Sequence, residues 1–118
     1  MKLVKGGIGM QNIYPEYKSN IILGDGVLQL DPMAYCVVYR EKEVNLGPRE
    51  FEVLYLLTQR PKWIFPKKNI YYSVWGLNYN DDHIPYKTVE HVVWKIRKKM
   101  GYDIIETLIN VGYRLKRI

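Results

Sequence analysis

From Ile21 onward, apolar residues come in short runs divided by turn residues. Gly24-Asp25-Gly26 has turn chemistry, Val27-Leu28-Gln29-Leu30 predicts a strand, and Asp31-Pro32 ends it. Tyr35 to Arg40 is β-branched and aromatic enough for a second strand. Glu41-Lys42-Glu43 then predicts a polar turn, and Val44-Asn45-Leu46 a short third strand, so the three form a meander. Residues 1–20 show no sustained periodicity and are expected to be a tail or linker remnant, leaving 21–118 as one domain.

The period then lengthens. Gly47-Pro48 predicts a helix start, because glycine is an acceptable N-cap and proline at the first helical position loses only an unpaired N–H. Phe51 to Leu57 is apolar on more than one side, apart from Glu52, as suits a helix covered by both a sheet and other helices; it ends near Gln59. Pro66 opens a second, shorter helix carrying Ile70, Tyr71 and Val74, with Gly76 after Trp75 as its left-handed cap. Phe65 offers this helix no side-chain acceptor, so its N-terminus is weakly capped.

A polar loop over 76–86 leads to the most strongly patterned segment, a helix from about 85 to 100. With Val89 at 0° and about 100° per residue, Val93, Ile96 and Met100 fall within about 40° of it and form a core stripe. Lys87, His91, Trp94 and Lys98 fall on the opposite side, flanked by Lys95 and Thr88. Gly101 closes the helix. Ile104 to Leu108 and Tyr113 to Ile118 predict paired strands around turn residues Asn110 to Gly112, a terminal hairpin over 104–118.

Composition narrows the possibilities. The 118 residues suffice for one domain, and 47% hydrophobic residues, including 16 aromatics, can build a core. No apolar run approaches the roughly 20 residues that span a bilayer, and the glycine-interrupted start does not resemble a signal peptide. One cysteine, Cys36, excludes an intramolecular disulfide and fits a cytoplasmic protein. The net charge of +6 points to a polyanionic partner. It is concentrated at the rear: eight basic residues face three acidic ones from 85 to 118, against ten and nine before.

Catalysis finds little support. Cys36 lies in a predicted strand, and no phosphate-cradling glycine loop occurs. His83 and His91 lack the neighbours and spacing of a zinc site, so neither metal nor cofactor is expected, nor enzyme activity.

The element order describes an α+β winged helix-turn-helix with an N-terminal antiparallel sheet, a three-helix body and a C-terminal β-hairpin wing. Leu30-Asp31-Pro32, the stretch Leu46 to Leu54, Val74-Trp75-Gly76, the stretch Lys87 to Gly101, and Val111-Gly112-Tyr113-Arg114-Leu115 stand in an order that resembles the OmpR/PhoB-type effector domain of bacterial response regulators. The resemblance covers residues 22–118. It implies a fourth sheet strand at Ile21 to Leu23, and double-stranded DNA as partner for transcription regulation within a two-component, phosphorelay system. It places the 85–100 helix in the major groove and the hairpin in the adjacent minor groove. It further implies contact of the 76–86 loop with RNA polymerase, and dimeric or tandem binding on direct repeats. Family members usually carry an N-terminal receiver domain, for which 118 residues leave no room, so both an excised effector and a stand-alone regulator remain open.

Roles follow position by position. Lys87, Lys95 and Lys98 are expected to meet phosphates or guanine edges, with Lys95 first for a base contact, since the resembling family often has an arginine there. Thr88 and Val92 offer methyls to thymine or pack on the helix flank. His91 and Trp94 lie on the reading face, Trp94 awaiting cover from DNA, the wing or another protomer. Trp75 and Tyr113 match backbone-positioning places of the family, phosphate contact being favoured for Tyr113 over core burial. Arg97 and Arg114 are either structural ion-pair partners or backbone contacts. On the wing, Thr107, Ile109 and Asn110 complete the expected DNA-binding set. Where relatives commonly insert an arginine, Leu108-Ile109-Asn110 offers an apolar residue and an amide, so the wing is expected to position more than it specifies. An RNA-binding or protein-interaction module using the same basic helix is the alternative function.

Overall fold

In the computed structural model, which describes residues 19–76, 85–116 and 118, short strands precede three helices and a terminal hairpin. Strands β1 (Ile21–Leu23), β2 (Leu28–Asp31), β3 (Cys36–Tyr39) and β4 (Lys42–Val44) form an antiparallel sheet in chain order. The fourth strand implied by the family resemblance is therefore β1, whose Ile21 pairs with Leu30. Leu28 and Leu30 of β2 and Val37 of β3 are buried toward the helices, while Gln29 alternates outward.

The third meander strand falls two residues earlier than the polar pattern suggested. The turn is confined to Arg40 and Glu41, both with positive φ (52° and 69°), as a tight two-residue hairpin with primed-turn backbone requires. Lys42 and Glu43 consequently belong to β4, paired with Tyr39 and Val38. Polar residues at a sheet edge look like a turn in sequence, because the exposed positions of an edge strand face water.

Helix α1 (Pro48–Gln59) begins as expected, with Glu50 accepting a hydrogen bond from the Gly47 N–H at 3.1 Å. Its Phe51, Val53, Leu54 and Leu57 are almost wholly buried. Helix α2 (Lys67–Trp75) buries Ile70 and stops at Gly76, whose φ of 96° carries the chain out of the helix. Helix α3 (Tyr86–Met100) inserts Val89, Val93, Ile96 and Met100 into the same core, the stripe its period predicted.

After Gly101 (φ 110°), a short 3₁₀ turn (Tyr102–Ile104) leads into β5 (Ile105–Leu108), which pairs with β6 (Gly112–Leu115). Ile104 thus lies in the turn, not the strand, and the second strand spans four residues instead of the expected six. Phe65, in the α1–α2 connection, adds a bridge outside the hairpin: its N–H donates to the Tyr113 carbonyl at 2.7 Å and its carbonyl accepts from the Tyr113 N–H at 3.0 Å. The expected 1–20 tail, except Ser19 and Asn20, and residues 77–84 of the 76–86 loop, with His83, lie outside the described residues.

Candidate nucleic-acid interface

Helix α3 carries five cations, and the fold treats them unequally. Arg97 turns inward toward the hairpin: its Nη2 donates to the Ile105 carbonyl at 2.6 Å and to Thr107 Oγ1 at 2.7 Å, and Nε reaches the same carbonyl at 3.2 Å. Lys99 pairs with Glu50 of α1 at 2.8 Å. The other three, Lys87, Lys95 and Lys98, have no carboxylate partner among the described residues. The helical period that hid Val89, Val93 and Ile96 therefore leaves three uncommitted ammonium groups on or beside the outer face.

Between them lies an aromatic step. The His91 and Trp94 rings stack at 5.8 Å between centroids with 14° between planes, and the Lys98 ammonium lies 5.3 Å from the centre of the indole. Positions three and four apart on a helix are neighbours, so Trp94 is flanked by its own helix on both sides. It still leaves 46% of its surface exposed. Neither wing packing nor a second protomer is needed to explain its place, although an exposed indole of this size remains available for contact.

Two expected contacts sit on the core side instead. Val92 is only 7% exposed and packs with the inner stripe, while also lining the depression between Lys87, Thr88, His91 and Lys95. Tyr113 is 5% exposed, its backbone held by Phe65 and its ring flanked by Lys67 and Arg97. Burial pushes its phenol above the ordinary value, an effect of the Glu90 charge also, with Lys67 and Arg97 opposing. Core burial, the rival reading of this tyrosine, is what the fold displays.

The remaining candidates divide similarly. Thr88 is half-buried beside Lys87 and Lys95. Trp75 stacks on Tyr71 at 5.5 Å and lies under Arg49, whose guanidinium donates to the Val74 carbonyl and to Glu52. Arg114 pairs with Glu106 across the hairpin at 3.0 Å, and Thr107 accepts from Arg97. At the wing tip, Asn110 takes a left-handed conformation (φ 66°) and Ile109 is 82% exposed.

Sequence reasoning missed several positioning residues. Lys67 of α2 bonds Glu90 of α3 at 2.5 Å, and that bond raises the ammonium above its ordinary value; Glu90 is thereby withdrawn from Arg97, its neighbour on the helical wheel. Gly112 was legible only as a turn residue. A Cβ there would overlap the Phe65 carbonyl oxygen, so glycine is what admits the bridge that seats the wing. A close approach of two backbones distant in sequence leaves no periodic signal.

Comparison with known proteins places this arrangement. A family model described as "Transcriptional regulatory protein, C terminal" matches residues 41–115. The phosphate regulon transcriptional regulatory protein PhoB of Rhizobium meliloti (strain 1021) is 33% identical over 106 residues, which are 86% of this chain and 45% of that protein. The uncharacterized transcriptional regulatory protein YkoG of Bacillus subtilis (strain 168) is 36% identical over 80 residues, 64% of this chain and 34% of that protein. The chain thus spans less than half the length of these curated relatives. Among solved structures, the DNA-binding domain of Bacillus subtilis CssR superimposes with a TM-score of 0.64 at 26% identity, covering 75% of this chain and 98% of that one. The Klebsiella pneumoniae RstA DNA-binding domain, solved in complex with the RstA box, has the same fold, with a TM-score of 0.71 at 22% identity over 84% of this chain and 98% of that one.

Proposed function

The chain belongs to the transcriptional regulatory protein C-terminal family, domains that bind double-stranded DNA sequence-specifically to regulate transcription, and from that premise we propose that α3 reads the major groove through Lys87, Thr88, His91, Trp94, Lys95 and Lys98. The family is one of regulators, not of enzymes. The observation that carries the assignment is the sorting of cations: Arg97 and Lys99 are engaged within the fold, whereas Lys87, Lys95 and Lys98 surround an exposed His91–Trp94 stack.

Docking begins electrostatically, with lysines displacing counterions from phosphates. Lys95, half-buried and so restricted in its rotamers, is the group best held for a base edge; Lys87 and Lys98, at the ends of the exposed face, meet phosphates. Val92 and Tyr113 act by shaping the scaffold, and Arg97, Thr107 and Arg114 by holding the wing at a fixed angle to α3. Asn110 at the wing tip reaches a minor-groove edge, and Trp75 positions the backbone from the end of α2.

We further propose that the chain is the output part of a bacterial two-component response regulator acting in the cytoplasm, with copies arranged as a dimer or in tandem on direct repeats and the 76–86 loop touching RNA polymerase. What supports this reading is the similarity to PhoB of Rhizobium meliloti, itself a phosphate regulon transcriptional regulatory protein, of which this chain matches 45%. No helix among the described residues is long and apolar enough to cross a membrane.

Selection of bound duplexes from a random DNA pool, followed by competition at matched ionic strength, tests the reading. Enrichment of a defined site that random duplex and single-stranded RNA fail to displace is the expected result. Preference for single-stranded RNA, or no enrichment, overturns it.

A further inference from the structure

The wing tip presents its greatest apolar exposure where a turn ordinarily places polar residues. Ile109 is 82% exposed and Val111 is 52% exposed, with Asn110 between them in the left-handed conformation. A single exposed aliphatic residue needs no explanation. Two on one three-residue loop, with no cation among them, do.

The base of this loop is unusually fixed for a two-stranded ribbon, which alone would be marginally stable. Arg97 ties Ile105 and Thr107 to α3, the Phe65 bridge ties Tyr113 to the α1–α2 connection, and Arg114 pairs with Glu106. The tip itself is closed by a hydrogen bond from the Val111 N–H to the Leu108 carbonyl at 2.9 Å. A stiff lever therefore carries a branched aliphatic side chain at its end. The tip also shares one surface depression with Lys68 of α2 and with Tyr86 at the start of α3. Its fixed place beside the reading helix directs it at the groove next to the one α3 occupies, and Lys68 flanks the approach.

Resting on the DNA-binding reading above, we propose that Ile109 is an apolar wedge, inserted from the minor groove between two stacked bases, with Val111 covering its flank and Asn110 bonding a base edge. The wing then reads deformability: a pyrimidine–purine step such as TA unstacks more easily than others and is preferred under the tip. This gives the wing tip a specificity role that the lack of a cation among Ile109, Asn110 and Val111 does not suggest.

The test uses the duplex obtained by selection, with 2-aminopurine placed at the step beneath the wing and bending measured by circular permutation. The chain is expected to bend this duplex and to raise 2-aminopurine fluorescence. Ile109→Ala should lose most of both signals and about tenfold in affinity, the order expected from exposing one isoleucine side chain. Ile109→Leu should retain them, and replacing TA by a purine–purine step should remove the difference between Ile109 and Ala. Because the side chain is exposed, neither variant should shift Tm. If the chain bends nothing, or Ile109→Ala bends and binds as before while Lys95→Ala still weakens binding, the wedge is wrong and the major-groove reading survives. If Ile109→Ala alters only self-association in the absence of DNA, the tip serves a protein contact and the wedge is again wrong. Failure to bind any duplex overturns both.

Discussion

The Glu50 carboxylate of α1, almost wholly buried, meets the Lys99 ammonium of α3 at 2.8 Å while also accepting the Gly47 N–H that starts its own helix. Desolvation alone would raise this carboxyl. The hydrogen bonds from Lys99 and Gly47, with the charges of Lys99 and Lys95, outweigh it and hold the group below its ordinary value of 4.5. A carboxyl depressed by folding stabilises the native state above its unfolded value, and that stabilisation is lost as pH falls through the folded value. Stability should therefore decline below about pH 4.5, and Glu50→Gln should decline less over the same interval. Urea unfolding of both proteins at pH 7 and pH 3 measures this, and an equal decline refutes the assignment. At pH 7, Lys99→Ala should cost about 1–3 kcal/mol, since it leaves a buried carboxylate short of a partner.

That pair also marks the limit of what the sequence conveys. The inner stripe of α3 was legible because Val89, Val93, Ile96 and Met100 repeat at the helical period, and burial follows period closely. Which cations remain uncommitted was not legible. Arg97, Lys98 and Lys99 are adjacent in sequence, yet one binds the hairpin, one lies over Trp94 and one pairs with Glu50. A wheel gives direction from the axis but not what another element brings to meet the side chain. For the same reason the family resemblance and core burial stood as rival readings of Tyr113 in sequence, and the partner that seats its backbone, Phe65, lies 48 positions earlier. Turn limits failed more locally: an edge strand and a turn share their polar composition, and only the positive φ at Arg40 and Glu41 separates them.

Arg97 and Lys95, two residues apart, should respond oppositely to replacement by alanine. Lys95→Ala should weaken binding to the selected site by roughly 1–3 kcal/mol, relax one base position, and leave Tm unchanged. Arg97→Ala leaves the Ile105 carbonyl and Thr107 hydroxyl without their donor and frees the wing, so unfolding stability should fall by about 1–3 kcal/mol. Its affinity loss should be similar for selected and random duplexes. Parallel thermal melts and anisotropy titrations separate the two, and an equal loss on both duplexes for Lys95→Ala would count against a base contact.

Gly112→Ala tests the seat of the wing. A methyl group at this position overlaps the Phe65 carbonyl, so the Phe65–Tyr113 bridge must open or the backbone must shift. Two backbone hydrogen bonds are at risk, and about 1–3 kcal/mol of stability should be lost. Amide exchange should quicken at Phe65 and Tyr113 before it does in α1. Unchanged protection at both amides would mean that the connection gives way without loss, contrary to the close approach described here.

Salt dependence offers the most direct separation of engaged from uncommitted lysines. Each phosphate neutralised by the protein contributes about −0.9 to the slope of log K against log salt on B-form DNA. Lys87 and Lys98 on phosphates should together contribute about −1.8 to the slope. Lys87→Ala and Lys98→Ala each remove an ammonium that has no carboxylate partner in the described fold, so each should make the slope shallower by about 0.9. Lys99 differs, because its ammonium already answers Glu50. An ammonium that stays with Glu50 neutralises no phosphate, so no counterion is released through it. Lys99→Ala should therefore lower Tm and leave the slope as it was, under conditions where the variant is still folded. A slope that changes equally for Lys87, Lys98 and Lys99 would show that the Glu50 pair opens on binding and that the sorting of cations seen in the free fold does not persist on DNA.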